Sequence, residues 1–239
     1  MPESLYQKQG KAVSRAGWLL SIVQRRFLLL FLFLLASLLL YPYAESTAFG
    51  YFAFRIAGTA AILLSVYAAS RRLNLVIWGV VLAIPALAQW LHILRADLSL
   101  LSLSNISLSF AFDVFIVVVL FRRVFANEKP DTETVFGALC IYMLIGFSFT
   151  GAYELLATVQ PHAFYLDPAT NTHTALNRFD FIYYSFGTIT SLGSSGITAV
   201  SNQARSLTVI EAMLGIFYLA VVIARLVDAY HTHIASRLD

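Results

Sequence analysis

The groups able to do chemistry in this chain are few, and they gather late in the sequence. The stretch Phe179–Thr190 runs into Ser191-Leu192-Gly193-Ser194-Ser195-Gly196, an irregular polar run inside otherwise apolar sequence. Such backbone survives at membrane depth only when it is buried in protein or lines a water-filled cavity. It therefore predicts a cavity, and a loop that dips into the membrane is one way to coordinate ions. The same run holds a G-x-S-G pattern in which Ser195 could act as a nucleophile, given a histidine base within hydrogen-bond reach. Carboxylates inside apolar segments are the third kind of group, since a charge there is expensive and functional by default. Glu211 lies about five residues into the last apolar segment. It reads as a carboxylate behind the loop, bonding it or biasing the cavity toward cations, against the alternative of an interface group near Arg205. Glu154 reads equally as a brace or as an interface carboxylate. Asp113 sits deeper in its segment than Arg55 does in its own, by about 12 Å at 1.5 Å per residue. Arg55 is thus expected to snorkel outward and Asp113 to find another partner.

The remaining candidates are weaker. One cysteine, Cys140, excludes an intramolecular disulfide and a cysteine-based zinc site. No metal site and no resident cofactor is expected. His162 and His173 flank Asp167 in an outer loop, where their titration could confer an effect of outer pH. His231-Thr232-His233 has a spacing that suits no helical metal pair and receives no role.

These groups must be positioned by elements that live in lipid. Of the 239 residues, 59% are hydrophobic and 12% charged, about half the charge of a soluble domain. That composition excludes an ordinary cytosolic enzyme, a disordered tail and a nucleic-acid binder, and makes the bilayer the expected partner. Six apolar segments approach the roughly 20 residues a span needs, at about 27–44, 48–69, 73–94, 101–121, 133–157 and 206–228. A seventh, 179–190, would rise only about 18 Å, enough to enter the membrane half way. Arg25-Arg26, Arg71-Arg72 and Arg122-Arg123 mark every second boundary, so they share one side, cytoplasmic by the positive-inside rule. Both termini are then cytoplasmic. The first apolar segment has a signal-like shape but lacks the small residue expected three before a cleavage site at Ala44, and it reads as a retained helix. Residues 1–26 form a cytoplasmic segment, either an interfacial amphipathic helix in part or an extension of the first span. Leu and Ser nearly alternate from Leu98 to Ser109, a strand-like period. A lone strand in hydrocarbon leaves its backbone unpaired, so this segment is assigned as helix, with serines bonding back to carbonyls. A polar stretch at 126–132 separates a four-span front half, 27–125, from a back half, 133–230. Residues 231–239 form a cytoplasmic tail.

Phe179–Tyr230 resembles the pore region of small bacterial potassium channels of the two-helix ion-channel type. The matching residues are Tyr183-Tyr184-Ser185-Phe186, Thr188, Thr190, Gly193 and Ile197, then Ala204-Arg205-Ser206-Leu207, Glu211-Ala212, Gly215, Tyr218-Leu219-Ala220 and Ala224-Arg225-Leu226-Val227. The resemblance implies an all-α membrane protein with six transmembrane helices, and a re-entrant pore helix and loop between spans five and six. It implies a homotetramer in the cell inner membrane, since one re-entrant loop cannot enclose an ion alone. The function implied is passive conduction of a monovalent cation, potassium by default. The pore helix would be 179–190, the filter Ser191, Leu192, Gly193, Ser194, Ser195 and Gly196, and the inner helix 206–228. Tyr183, Tyr184, Phe186, Thr188, Thr190 and Glu211 would support the filter. The helix C-terminus would favour a cation in the cavity. Gly215, 22 positions after Gly193, stands where the family has a flexible glycine, read either as a gating hinge or as a small residue for close helix approach. Phe217, Val221 and Val222 could close a hydrophobic gate.

The loop departs from the family pattern. Ser191 stands for a threonine, Ser194 for the tyrosine that braces the filter, Ser195 for the second glycine and Gly196 for an aspartate. The expected pore is accordingly wider and less selective, with a non-conducting membrane subunit or scaffold as the alternative. The fourth span carries no arginine between Arg95 and Arg122, which excludes an arginine-repeat voltage sensor. Gly193-Ser194-Ser195-Gly196 also resembles the nucleophile motif of rhomboid-type intramembrane proteases. Only one span follows Ser195, however, and its histidines lie at the opposite face, so no enzyme is expected.

Overall fold

A computed structural model describes residues 26–69, 77, 79–81, 83–84, 99–126, 132–171, 173–193 and 196–238. The N-terminal segment 1–25, most of the expected third span and most of the 126–132 linker lie outside these residues. Helix α1 (Arg26–Ser46) and helix α2 (Ala48–Ala69) form a hairpin. Thr47 makes the turn: its Oγ1 accepts from the Gly50 amide at 3.0 Å, capping α2, while its own amide donates to the Tyr43 carbonyl at 3.1 Å. Helix α3 spans Ser99–Phe125. The Leu/Ser alternation is thus helical, and the Ser107 hydroxyl donates to the Leu103 carbonyl one turn back at 2.8 Å.

Helix α4 (Thr132–Val159) is the hub, packing against α1, α3 and two later helices. It is apolar all round, which is the pattern of a buried helix. Two of its hydroxyls bond back within it, Ser148 to the Leu144 carbonyl at 2.8 Å and Thr150 to that of Gly146 at 3.0 Å. Next come strand β1 (Phe164–Leu166), short helix α5 (Arg178–Ile189), strand β2 (Ile197–Ala199) and helix α6 (Asn202–Leu238). The strands pair antiparallel, Phe164 opposite Ala199 and Leu166 opposite Ile197. This sheet corrects the all-α expectation in a small way. Three-residue strands carry no readable alternation, and their pairing tethers the outer loop to the segment after the glycine-rich turn. Helix α6 also outruns the expected 206–228 at both ends. It is helical through the tail to Leu238, with the apolar stretch at Asn202–Asp228.

Among the described residues, α4 and the Asn202–Asp228 part of α6 are long and apolar enough to cross a membrane. They differ sharply in burial: over the most apolar window, 56% of α4 is buried but only 17% of α6. Helix α6 buries one seam, Ala204, Glu211, Gly215 and Tyr218, and leaves the rest of its apolar surface bare.

The helix ends sort into two groups. At one end the Arg26 guanidinium lies 5.9 Å from the Tyr67 ring and that of Arg225 lies 5.2 Å from Phe125. There Arg123 also sits over Phe27, 5.6 Å away, and donates to the Ala68 carbonyl, while the Phe27 amide donates to Glu133 Oε2 at 3.1 Å. At the other end Tyr41 of α1 stacks on Phe179 at the start of α5, centroids 4.2 Å apart. Helices α1 and α4 therefore start at the end where α2 and α3 finish.

Candidate functional site

Helix α5 starts where its sequence supplies a capping box. The Asn177 side chain accepts from the Asp180 amide at 3.0 Å, and Asp180 Oδ2 accepts from the Asn177 amide at 2.8 Å. Asp180 is 5% exposed, and its carboxylate sits where the helix dipole favours negative charge. His173 Nε2 lies 2.9 Å from Asp180 Oδ2, so the outer loop is clasped to the start of α5. Arg178 pairs with Glu154 of α4 at 3.2 Å. Asp113 of α3 feels the attraction of Arg178 and the repulsion of Glu154, and forms an ion pair with neither.

The buried face of α5 carries the polar links that set its depth. The Tyr184 hydroxyl is 2.8 Å from Thr208 Oγ1 on α6. Its ring meets Tyr153 and Phe164 edge to face, at 5.1 and 5.5 Å. At the next residue, Ser185 Oγ stands 2.7 Å from the Gly146 carbonyl of α4 and 2.5 Å from Glu211 Oε1 of α6. Glu211 Oε2 accepts from the Tyr153 hydroxyl at 2.5 Å. Glu211, Ser185 and Tyr153 are all fully enclosed. One carboxyl thus joins three helices at a single point. At the far end of α5 the Tyr142 hydroxyl donates to the Ile189 carbonyl at 2.8 Å. The same carbonyl oxygen rests against Gly215, where a Cβ would come within 2.5 Å of it.

A helix leaves its last four carbonyls without intrahelical partners. In α5 all four are taken up. Phe186 O accepts from the Thr190 amide at 3.2 Å, Gly187 O from Gly193, Thr188 O from Ser191, each at 3.0 Å, and Ile189 O from Tyr142. The chain then leaves through left-handed backbone, Ser191 at φ 58° and Gly193 at φ 79°. Thr190, Ser191, Leu192 and Gly193 are exposed, Leu192 by 79%. Ser194 and Ser195 lie outside the described residues. Gly196, at φ 100°, is gripped from the outer loop: Asn171 Nδ2 donates to its carbonyl at 3.0 Å and the Asp167 amide does so at 2.8 Å.

Of the residues expected to support the loop, Tyr184 and Glu211 lie in this network, Phe186 packs edge to face on Phe147 at 5.2 Å, and Thr188 and Thr190 shape the turn. Tyr183 is 39% exposed. Sequence reasoning missed Tyr142, Tyr153 and Thr208, and gave Ser185 no role. The signal lay in Glu211 itself, because a buried carboxyl demands donors, and few hydroxyl side chains share its depth. His231 stands 29 residues along α6 from Asn202, about 43 Å along the axis, whereas Gly196, the residue after Ser195 in the sequence, lies before the start of α6. That geometry opposes a serine–histidine pair.

The grip on Gly196 makes a prediction. The family pattern has aspartate here, but a Cβ would lie 2.6 Å from Thr170 Oγ1 and 2.7 Å from Asn171 Nδ2, on backbone that only glycine adopts readily. Gly196→Asp alone is therefore expected to destabilise the protein by about 1–3 kcal/mol. Thermal unfolding in detergent would show it, with no loss of stability overturning the assigned grip.

Residues 153–231 match a family model described as Ion channel. No curated protein and no solved structure matches the chain. The matched segment runs from Tyr153 on α4 through both strands and α5 into α6. It contains Tyr153, Ser185, Glu211 and Gly215, and it excludes the front helices. The match, together with two apolar helices of spanning length, supports a membrane protein with passive ion-channel function.

Proposed function

We propose that four copies of this chain surround a pore in the cell inner membrane and let monovalent cations pass, potassium by default. Each copy contributes six spans, both termini being cytoplasmic. Helix α5 is the pore helix, 191–196 the filter and α6 the inner helix. The observation that carries this reading is the setting of α5. A twelve-residue helix is wedged between two long apolar helices, fixed in depth through Glu211, and ends in an exposed loop of left-handed backbone. The bare apolar surface of α6 supports the oligomer, since that surface must meet lipid, a pore or another copy. The loop departs from a potassium filter at 194–196, and the carbonyls ending α5 already accept protein hydrogen bonds. Both features favour a pore wider and less selective than a potassium filter.

Purified protein in liposomes is expected to pass rubidium and potassium, with sodium discriminated against less than tenfold, and to cross-link as a tetramer in lipid. A monomer in lipid would remove the model. An intact tetramer without flux at any voltage or pH, rescued by Ser194→Tyr, Ser195→Gly and Gly196→Asp together with Asn171→Ala to relieve the grip on 196, would make the chain a non-conducting subunit.

A further inference from the structure

A groove of about 450 Å³ runs between α3, α4 and α6 of one chain. Its walls are apolar, with Val114 and Val118 from α3, Ile145 from α4, and Leu214 and Phe217 from α6. The two hydroxyls that border it are spent, Ser148 on the Leu144 carbonyl and Tyr218 on that of Ala138 at 2.7 Å. Ordered water needs polar partners, and this wall offers none. The groove closes on Arg122, in the last turn of α3. Arg123 beside it is engaged with Ala68 and Phe27, whereas Arg122 is exposed and its guanidinium has no hydrogen-bond or ion-pair partner among the described residues.

The dimensions select the occupant. From Val114 to Arg122 is eight residues, about 12 Å of helix, against a half-thickness of about 15 Å for the hydrocarbon core. A single flexible acyl chain lying along α3 matches that length, and walls without a spare polar group suit it. An exposed guanidinium at the membrane edge of an apolar slot is complementary to a lipid phosphate.

We propose that this groove binds an anionic phospholipid of the cytoplasmic leaflet, with an acyl chain along α3 and α6 and the headgroup phosphate on Arg122. The site rests on the membrane orientation proposed above. It bears on α6 directly, because Leu214 and Phe217 form one wall.

The test is binding of acyl-labelled phosphatidylglycerol and phosphatidylcholine to the full-length protein in detergent, which does not require flux. The wild type is expected to prefer phosphatidylglycerol. Arg122→Gln is expected to lose about fivefold of that preference, the equivalent of one phosphate contact of about 1 kcal/mol, while still binding acyl chains. Val118→Trp fills the slot and is expected to lose both lipids, with the oligomer and its thermal stability unchanged. Unaltered headgroup preference in Arg122→Gln, or unaltered lipid binding in Val118→Trp, overturns the proposal. So does a change of oligomeric state in a folded Val118→Trp, which would mean that another copy covers the groove. A wild type that binds lipid as described but passes no ions would count against the channel reading alone.

Discussion

Replacing Glu211 by alanine is expected to loosen the junction of α4, α5 and α6 and abolish ion flux. The change leaves the Tyr153 and Ser185 hydroxyls enclosed without their carboxyl partner and opens a cavity where three helices meet. An orphaned buried hydroxyl costs about 1–3 kcal/mol, whereas hydrogen bonds measured inside membrane bundles are worth nearer 0.6. Adding the cavity, the loss should lie at about 2–5 kcal/mol. Tyr153→Phe removes one of the two bonds and leaves the aromatic packing against Tyr184 and Phe164, so it should cost about 1 kcal/mol. Glu211→Gln keeps the volume and both contacts, because the amide oxygen can accept from Tyr153 and its NH₂ can face Ser185. It should retain both assembly and flux. Thermal unfolding and rubidium flux on the three variants give the ranking. Equal losses in alanine and glutamine variants would show that charge, rather than the bonded scaffold, is what Glu211 supplies.

Substitution of Gly215 has the second largest expected effect. Its Cβ would approach a backbone oxygen, the Ile189 carbonyl, to 2.5 Å. A carbonyl at the end of α5 cannot rotate aside as a side chain could. Overpacking of this kind costs about 1–3 kcal/mol, and helix propensity returns about 1 kcal/mol to alanine over glycine. Gly215→Ala should therefore lose about 1–2 kcal/mol and Gly215→Val more than about 3 kcal/mol. Flux should fall in step with stability, because the loop begins at the carbonyl that is displaced. A pure gating hinge makes the opposite prediction, with opening and closing rates altered while stability holds.

What could be read in the sequence was whatever had a residue-type signature. The twelve-residue apolar segment, the polar turn behind it and the one carboxylate set inside the last apolar helix all carry such marks, and α5 and Glu211 meet where those marks pointed. The Leu/Ser segment was decided by a physical argument against its own period, and α3 is helical there. Bonds to backbone left no trace. Tyr142 reaching the Ile189 carbonyl, and Asn171 holding that of Gly196, have acceptors present at every position of a chain, so no pattern singles them out. Apolarity marks where hydrocarbon is, not where a helix stops, which is why α6 runs ten residues past its expected end. The β1–β2 pair is too short for either a period or a propensity to register.

The central place of α4 has a consequence for how the protein is made. Its partners α1 and α3 are synthesised before it, and α5 and α6 after it. The α1–α2 hairpin can close by itself at Thr47, but with the six spans proposed above α3 would leave the ribosome with its buried residues Phe112, Ile116 and Leu120 uncovered until α4 arrives. The front half is thus a set of waiting surfaces. Chains stopped near residue 130 should be cleared by membrane quality control, and the bundle should consolidate in one step when α4 inserts.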